Sequence, residues 1–263
     1  MENEKPEEER MPLTSHLEEL KTRLIRILIA VGAGFGVCYL FKEWSFRVIT
    51  KPLVEVLPAQ SSMIFTGLPE AFFIHMKIAF FASLFLTAPY TLFEIWRFIS
   101  PGLYKKERRL VFPFIFFSSI LFIGGIMFGY FIALPPAFGF FVSFSTDFLK
   151  PMISFREYLG LTLKFLLAFG LCFEMPVFIF FLAKVGIVNA KMLSKNRRYA
   201  ILIIFIVAAV LTPSPDAVSQ ILMAVPLMAL YEVSIFVAKF ARKDKPAPEE
   251  AEETDVEMED RNP

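Results

Sequence analysis

Long apolar stretches, separated by short polar segments, dominate the hydrophobic pattern of this chain. The first stretch, residues 24–41, contains one charged residue, Arg26, near its start. A helix needs about 20 apolar residues to cross a hydrocarbon core about 30 Å thick. The pattern therefore predicts an all-α integral membrane protein with six spans. Their approximate bounds are 22–41, 71–96, 110–134, 155–183, 197–211 and 217–238.

Prolines set the predicted end of the third span. Residues 110–146 carry no charge and are too many for one crossing. Pro135 and Pro136 each lack a backbone donor and clash with the preceding helical turn. The third span is therefore predicted to end near Leu134, and residues 135–154 are predicted to form an external loop.

The last two spans form a hairpin that is predicted to be short. Residues 199–211 would rise only about 20 Å as a helix. A turn containing Pro213 and Pro215 follows them. The hairpin is expected to stop short of the far interface, or to thin the bilayer around it.

Basic residues are divided unequally between the two sets of loops. One set, counted with residues 10–26 and 239–245 beside the first and last spans, holds 18 Lys and Arg residues, whereas the alternate loops hold five. Basic loops stay in the cytoplasm, so both termini are predicted to be cytoplasmic. Residues 1–12 and 241–263 are acidic and lack aromatic residues, which predicts disorder on either side of a six-span domain at 13–240.

The composition fits a membrane protein and offers no catalytic constellation. Hydrophobic residues make up 56% of the chain, including 33 Phe. The only aspartates before the C-terminal tail, Asp147 and Asp216, lie in predicted external loops, and no HExxH or GxSxG motif occurs. Cys38 and Cys172 lie in apolar runs without metal-site spacing. No catalytic residue, metal, cofactor or nucleic-acid partner is expected.

Two GxxxG spacings occur in the predicted spans, at Gly32–Gly36 and Gly125–Gly129. Small residues at this spacing let helices approach closely. Both are predicted to be helix-packing positions.

The polar segment before the first span carries a helix-start signal. Ser15 and Glu18 fit a capping box, which predicts a helix from about residue 15 that lies along the interface before the span. Glu19 and Arg23 are spaced to form an i,i+4 ion pair within that helix. Further along the chain, Glu107 is a single carboxylate among four cations of a cytoplasmic loop.

Glu174 lies near the middle of the fourth span. A charge at the bilayer centre costs about 2.5–3.5 kcal/mol on insertion scales. Lys164, ten residues earlier, is about 280° around the helix and 15 Å away, so the two cannot pair within it. Glu174 therefore needs a contact to another helix, water or protonation. A structural and a functional role both stay open.

At these residues the chain resembles the TatC family, the receptor core of the twin-arginine protein translocase, over about residues 12–240. The resemblance rests on HLEELKTR from His16, KPL from Lys51, FISPGLYKKERR from Phe98, AFG from Ala168, FEMPV from Phe173, LTP from Leu211 and DAVSQ from Asp216.

The resemblance implies a concave, glove-like arrangement of six helices in the bacterial cytoplasmic membrane. It implies a receptor that binds the twin-arginine signal peptides of folded cargo and recruits single-span TatA-type and TatB-type partners. Transport would be driven by the proton-motive force, without an enzymatic activity. Self-association and contact with membrane lipid are also expected.

The family's functional residues map onto three groups in this chain. The signal-peptide site maps onto Glu19, Glu107 and Phe98, with Lys21, Arg23 and Tyr104 nearby. Glu174 corresponds to the family's intramembrane acid, and Lys164 is a second intramembrane polar residue. The hairpin region that contacts TatB-type or TatA-type partners maps onto Pro213, Asp216 and Gln220. Lys21 stands where many members have arginine.

Two other classes of membrane protein compete with this interpretation. Glu174 and Lys164 would suit a proton-coupled small-molecule transporter, but such proteins commonly contain inverted repeats, and none is detectable here. An intramembrane aspartyl protease would need a pair of aspartates that the spans lack.

Overall fold

The computed structural model describes residues 13–57, 62–65, 67–99, 111–146, 152–211 and 217–241. The first half contains α1 (Leu13–Leu40), α2 (Lys42–Val54), β1 (Ser62–Ile64), α3 (Glu70–Leu86), α4 (Ala88–Ile99) and α5 (Val111–Phe128). The second half contains a π-helical segment (Gly129–Ala133), α6 (Leu134–Val142), β2 (Met152–Ser154), α7 (Phe155–Phe173), α8 (Met175–Val185), α9 (Ala190–Lys195), α10 (Arg197–Leu211) and α11 (Ala217–Ala241). The part of the chain that the structure describes is almost entirely helical, as predicted.

The helices account for the six predicted crossings. Within the described ranges, four helical segments are long and apolar enough to cross a membrane, and α3 with α4, bent by 54°, makes a fifth. The remaining crossing is α10, which has only 15 residues and would rise about 22 Å. The fifth predicted span is therefore short, whereas α11, with 25 residues, is long enough to cross fully.

Three crossings are broken, and each break precedes prolines in the first turn of the next helix. Pro89 follows the break between α3 and α4, Pro135 and Pro136 begin α6, and Pro176 begins α8. Proline lacks the N–H that a helix interior would need, but the first turn leaves its N–H groups unpaired anyway. Proline is therefore compatible with a new helix start inside a crossing, with a bend of 54° between α3 and α4 and a single continuous span through each of the other two breaks.

The predicted end of the third span at Leu134 was wrong for this reason. The helix passes through the π-helical segment and continues in α6 to Val142. The first part of the predicted loop 135–154 is therefore helical, up to Val142. The prediction of a separate interfacial segment before the first span was also wrong, because α1 is one continuous helix from Leu13 to Leu40.

Two short strands join the segments that precede α3 and α7. β1 pairs with β2 in parallel, with Met63 opposite Ile153. β2 leads directly into α7, and five residues separate the end of β1 from the start of α3. α3 and α7 therefore begin at the same end of the molecule, which is called the strand end below.

Close helix contacts hold the bundle together, chiefly α1 with α3, α5 with α7, and α8 with α11. A Cβ at Gly125 would lie 2.6 Å from the carbonyl oxygen of Phe169, so the second GxxxG prediction is confirmed. The first GxxxG prediction was wrong for helix packing within this chain. A Cβ at Gly32 or Gly36 would meet nothing within 4 Å, and Gly34 packs against Ser83 instead.

Candidate functional site

Glu19 is held by a buried arginine of its own helix. Arg23 donates to Glu19 Oε1 across one turn of α1, as the sequence spacing predicted. The side chain of Arg23 is 9% exposed, whereas that of Glu19 is 28% exposed. The carboxylate is therefore oriented from within the protein and remains accessible from outside.

Glu94 anchors this arginine from the neighbouring helix. Arg23 Nη1 donates to the backbone oxygen of Glu94 at 3.2 Å and lies 3.8 Å from Glu94 Oε2. Arg26 Nη1 lies 3.8 Å from Glu94 Oε1, and the hydroxyl of Tyr90 donates to that oxygen at 3.1 Å. Glu94 is only 2% exposed. Two cations and a hydroxyl compensate its burial in part, and Oε2 has no hydrogen-bond partner among the described residues.

Sequence reasoning assigned no role to Glu94. Glu94 lies near the end of the predicted second span, 71–96, where its local sequence indicates no partner. The signal that could have identified it is the pair Arg23 and Arg26, one turn apart at the start of the first span, which needs a buried counter-charge. The separation of 71 residues between Arg23 and Glu94 hides this pairing in the sequence.

The other predicted signal-peptide residues are only partly covered by the structure. Phe98 is half-buried in the last turn of α4, one turn after Glu94 and hence on the same helix face. Lys21 is exposed on α1. Tyr104 and Glu107 lie outside the described residues, so the proximity of Glu19 and Glu107 stays a prediction.

Glu174 occupies the break between α7 and α8. Its N–H donates to the carbonyl oxygen of Leu171 at 3.1 Å, and its carbonyl accepts from Phe178 at 2.9 Å, so the backbone remains hydrogen-bonded through the break. The half-buried side chain is directed at α5, where the Ser118 hydroxyl donates to Oε2. Of the three possibilities left open by the sequence, a contact to another helix, water or protonation, the contact to another helix is present.

A short polar chain links Glu174 to α4. Trp96 Nε1 donates to Ser118 Oγ at 2.9 Å, and Ser118 in turn donates to Glu174. The indole of Trp96 packs against Phe114 and Phe181, with ring centroids 5.1 Å and 5.4 Å away. Glu174 Oε1 has no hydrogen-bond partner among the described residues. This oxygen is itself buried, so one carboxylate oxygen is left unsatisfied within the helix packing among the described residues.

Lys164 lies apart from Glu174, as the helical geometry predicted. It lines a cavity of about 840 Å³ together with Lys77 and Arg156. The structure therefore does not bring the two intramembrane charges into one site.

In the hairpin, Gln220 joins the two helices. Its Nε2 donates to the carbonyl oxygen of Phe205 on α10 at 2.9 Å. Pro213 and Asp216 lie outside the described residues. Among the described residues, no group of three or more His, Cys, Asp or Glu side chains is arranged to hold a metal ion.

Comparison with known proteins assigns the chain to a family. The model of the family "Sec-independent protein translocase protein (TatC)" matches residues 15–226. A TatC protein of Desulforapulum autotrophicum is 50% identical over 252 residues, which cover 95% of this chain and 93% of that protein. A TatC protein of Magnetococcus marinus is 42% identical, with 94% of this chain and 90% of that protein covered.

A solved structure confirms the predicted fold. The crystal structure of a twin-arginine translocase receptor, TatC, matches with a TM-score of 0.77 and 36% identity, over 87% of this chain and 100% of that one. Proteins of this kind are components of a protein translocase and not enzymes. On this evidence, the chain belongs to the TatC family of Sec-independent protein translocase proteins.

Proposed function

We propose that this chain is the receptor core of a twin-arginine translocase in a bacterial cytoplasmic membrane. It binds the twin-arginine signal peptides of folded precursor proteins. Together with TatA-type and TatB-type single-span partners and further copies of itself, it mediates their transport, driven by the proton-motive force. The observation that carries this proposal is the accessible Glu19, oriented by the buried Arg23 and Glu94.

Arginine recognition follows from the chemistry of this carboxylate. A guanidinium offers five donors in a planar fork that matches a carboxylate, whereas a lysine ammonium is a compact point charge. Glu19 is already oriented by Arg23, so little side-chain entropy is lost when a peptide binds. A peptide arginine therefore gains more at this position than a lysine does.

The remaining proposed signal-peptide residues complete the site around Glu19. Phe98 supplies an apolar surface beside Glu94 on α4, and Glu107 supplies a carboxylate for the second arginine. Lys21 follows Glu19 by two residues, and Tyr104 precedes Glu107 by three residues. Arg23 is a positioning residue in this scheme, because it contacts Glu19 from inside the protein.

A binding assay with the purified protein tests the proposal. We expect Glu19→Ala and Glu107→Ala each to weaken binding of a twin-arginine signal peptide by about thirtyfold or more, since truncating one member of a charge-paired contact costs about 2 kcal/mol or more. Glu18→Ala is the matched control, because Glu18 is an exposed carboxylate one residue away. The proposal fails if Glu18→Ala and Glu19→Ala weaken binding equally.

The second polar site and the hairpin are proposed to contact the single-span partners. Glu174 has one carboxylate oxygen without a hydrogen-bond partner among the described residues, which supports a role in binding. Gln220, with Pro213 and Asp216 in the adjoining turn, forms the proposed partner surface of the hairpin. The separation of Lys164 from Glu174 also weakens the case for a proton-coupled transporter.

The proposed orientation places both termini in the cytoplasm and the strand end outside. Leu68, at the strand end, is 96% exposed. In a variant without native cysteines, we expect Leu68→Cys to react with a membrane-impermeant maleimide in intact spheroplasts. Leu17 lies near the start of α1, on the proposed cytoplasmic side, and is 63% exposed. Leu17→Cys should therefore react only after the membrane is opened. The reverse pattern would contradict the orientation.

A further inference from the structure

Three cations line a single cavity at the strand end. The cavity, of about 840 Å³, is bordered by Lys77 of α3 and by Arg156 and Lys164 of α7. This is called the basic cavity below. Lys77 and Arg156 also border an adjoining cavity of about 440 Å³. The volume of the basic cavity lies within the range of about 300–1,000 Å³ typical of ligand pockets.

The strand pairing explains why the three charges converge. Since β1 and β2 are parallel, α3 and α7 start side by side. Lys77 lies about 10 Å along α3 from its first residue, and Lys164 lies about 14 Å along α7. Side chains on a helix tilt toward its N-terminus. Both lysines therefore lean toward the strand end, where Arg156 lies in the first turn of α7.

The positive charge in the basic cavity is only partly balanced. Within the part of the chain that the structure describes, no ion pair includes Lys77, Arg156 or Lys164. Glu157 also borders the basic cavity. Glu70 borders the adjoining one, where it accepts from the backbone N–H of Gly67 at 3.2 Å. Three cations thus share the basic cavity with one carboxylate.

The rest of the wall is apolar and open. Phe138 and Phe141 of α6, Leu161 of α7 and Val210 of α10 border the same space. Gly160 lies between the two α7 cations in sequence, and a Cβ added there would meet nothing within 4 Å. An anionic lipid headgroup requires cations, and its acyl chains require an apolar wall. The basic cavity borders both kinds of residue.

We propose that the basic cavity binds an anionic phospholipid, with its phosphate among Lys77, Arg156 and Lys164 and its acyl chains against the α6 and α10 wall. Basic pockets between membrane helices commonly bind anionic headgroups. A zwitterionic lipid carries its own ammonium group and therefore gains less from the excess of cations. The alternative, in which each lysine merely extends its charged end to the interface, requires no cavity and no preference among lipids.

Native mass spectrometry of the whole protein tests the proposal. We expect the wild-type protein, offered equimolar phosphatidylglycerol and phosphatidylcholine with the same acyl chains, to retain phosphatidylglycerol preferentially, by about tenfold. Lys77→Gln, Arg156→Gln and Lys164→Gln together should abolish the preference. Lys164→Arg, which keeps the charge, should retain it. Gly160→Leu should reduce lipid retention without altering any charge.

Lys51→Gln is the matched control. Lys51 is 65% exposed and paired with Glu55 at 3.7 Å, outside the basic cavity, so this variant should retain the wild-type preference. Equal retention of the two lipids by the wild-type protein would overturn the proposal. A loss of preference in Lys51→Gln as large as in the triple variant would also overturn it, as would unchanged lipid retention in Gly160→Leu. Displacement of the lipid by millimolar inorganic phosphate or by a single-span partner would overturn it as well.

Discussion

Glu94 and Glu174 are two carboxylates within apolar helices that differ in how they are compensated. Glu94 is 2% exposed and faces Arg23, Arg26 and Tyr90. Glu174 meets only a serine hydroxyl through one oxygen, and its other oxygen has no hydrogen-bond partner among the described residues. Glu94 Oε2 also lacks a hydrogen bond among the described residues, but it lies 3.8 Å from Arg23 Nη1, whereas no ion pair among those residues includes Glu174. Burial beside cations indicates a structural group, and burial without a cation indicates a group kept for another interaction.

α4 separates these two sites by its own geometry. Glu94 faces α1, whereas Trp96, two residues later and about 200° around the helix, faces Ser118 on α5. One helix therefore orients the proposed signal-peptide carboxylate Glu19 through Arg23, and positions Glu174 through Trp96 and Ser118. Substitutions on the two faces should have different consequences.

Removal of Glu94 should have the largest effect on stability. Glu94→Ala removes the buried carboxylate that Arg23 and Arg26 both face and leaves the buried Arg23 with Glu19 alone, and breaking a buried pair costs about 3–5 kcal/mol. We expect a large fall in the unfolding temperature of the purified protein. Glu55→Ala is the control, because Glu55 pairs with Lys51 at an exposed position where a pair contributes about 0–1 kcal/mol. Similar falls in unfolding temperature in Glu94→Ala and Glu55→Ala would contradict a special structural role for Glu94.

Removal of the Ser118 hydroxyl should have an intermediate effect. Ser118→Ala leaves Trp96 Nε1 and Glu174 Oε2 without the partners seen here, and an unsatisfied buried group costs about 1–3 kcal/mol. Ser119→Ala is the matched control, because that hydroxyl donates only to the Ile115 carbonyl of its own helix, at 2.8 Å. If thermal unfolding does not distinguish the two variants, the polar chain contributes nothing to the fold.

Glu174 itself should matter least for stability and most for partner binding. Glu174→Ala should change the unfolding free energy by less than about 1 kcal/mol, because the lost hydrogen bond is offset by the removal of a partly compensated charge. We expect normal signal-peptide binding but reduced crosslinking to a TatA-type partner. Leu171→Ala, which truncates an exposed neighbour, should leave crosslinking unchanged. Unaltered crosslinking in Glu174→Ala would refute this role.

The six crossings could be predicted from hydropathy because apolar length depends on local sequence alone. The extension of the third crossing past Leu134 could not, because Pro135 and Pro136 are compatible both with a helix end and with the first turn of a new helix. Glu19 and Glu174 were identified with help from family motifs. Glu94 and the basic cavity depend on contacts between distant segments, namely α1 with α4 and α3 with α7, which no local pattern reports.

A double-mutant cycle between receptor and peptide tests the central claim most directly. Binding is measured for wild-type and Glu19→Ala protein, each with a twin-arginine peptide and with its twin-lysine counterpart. If Glu19 accepts from a peptide arginine, the two changes should be coupled by about 1.5 kcal/mol or more, and the lysine peptide should be nearly insensitive to Glu19→Ala. Additive effects would show that Glu19 does not contact the arginine pair and would contradict the account.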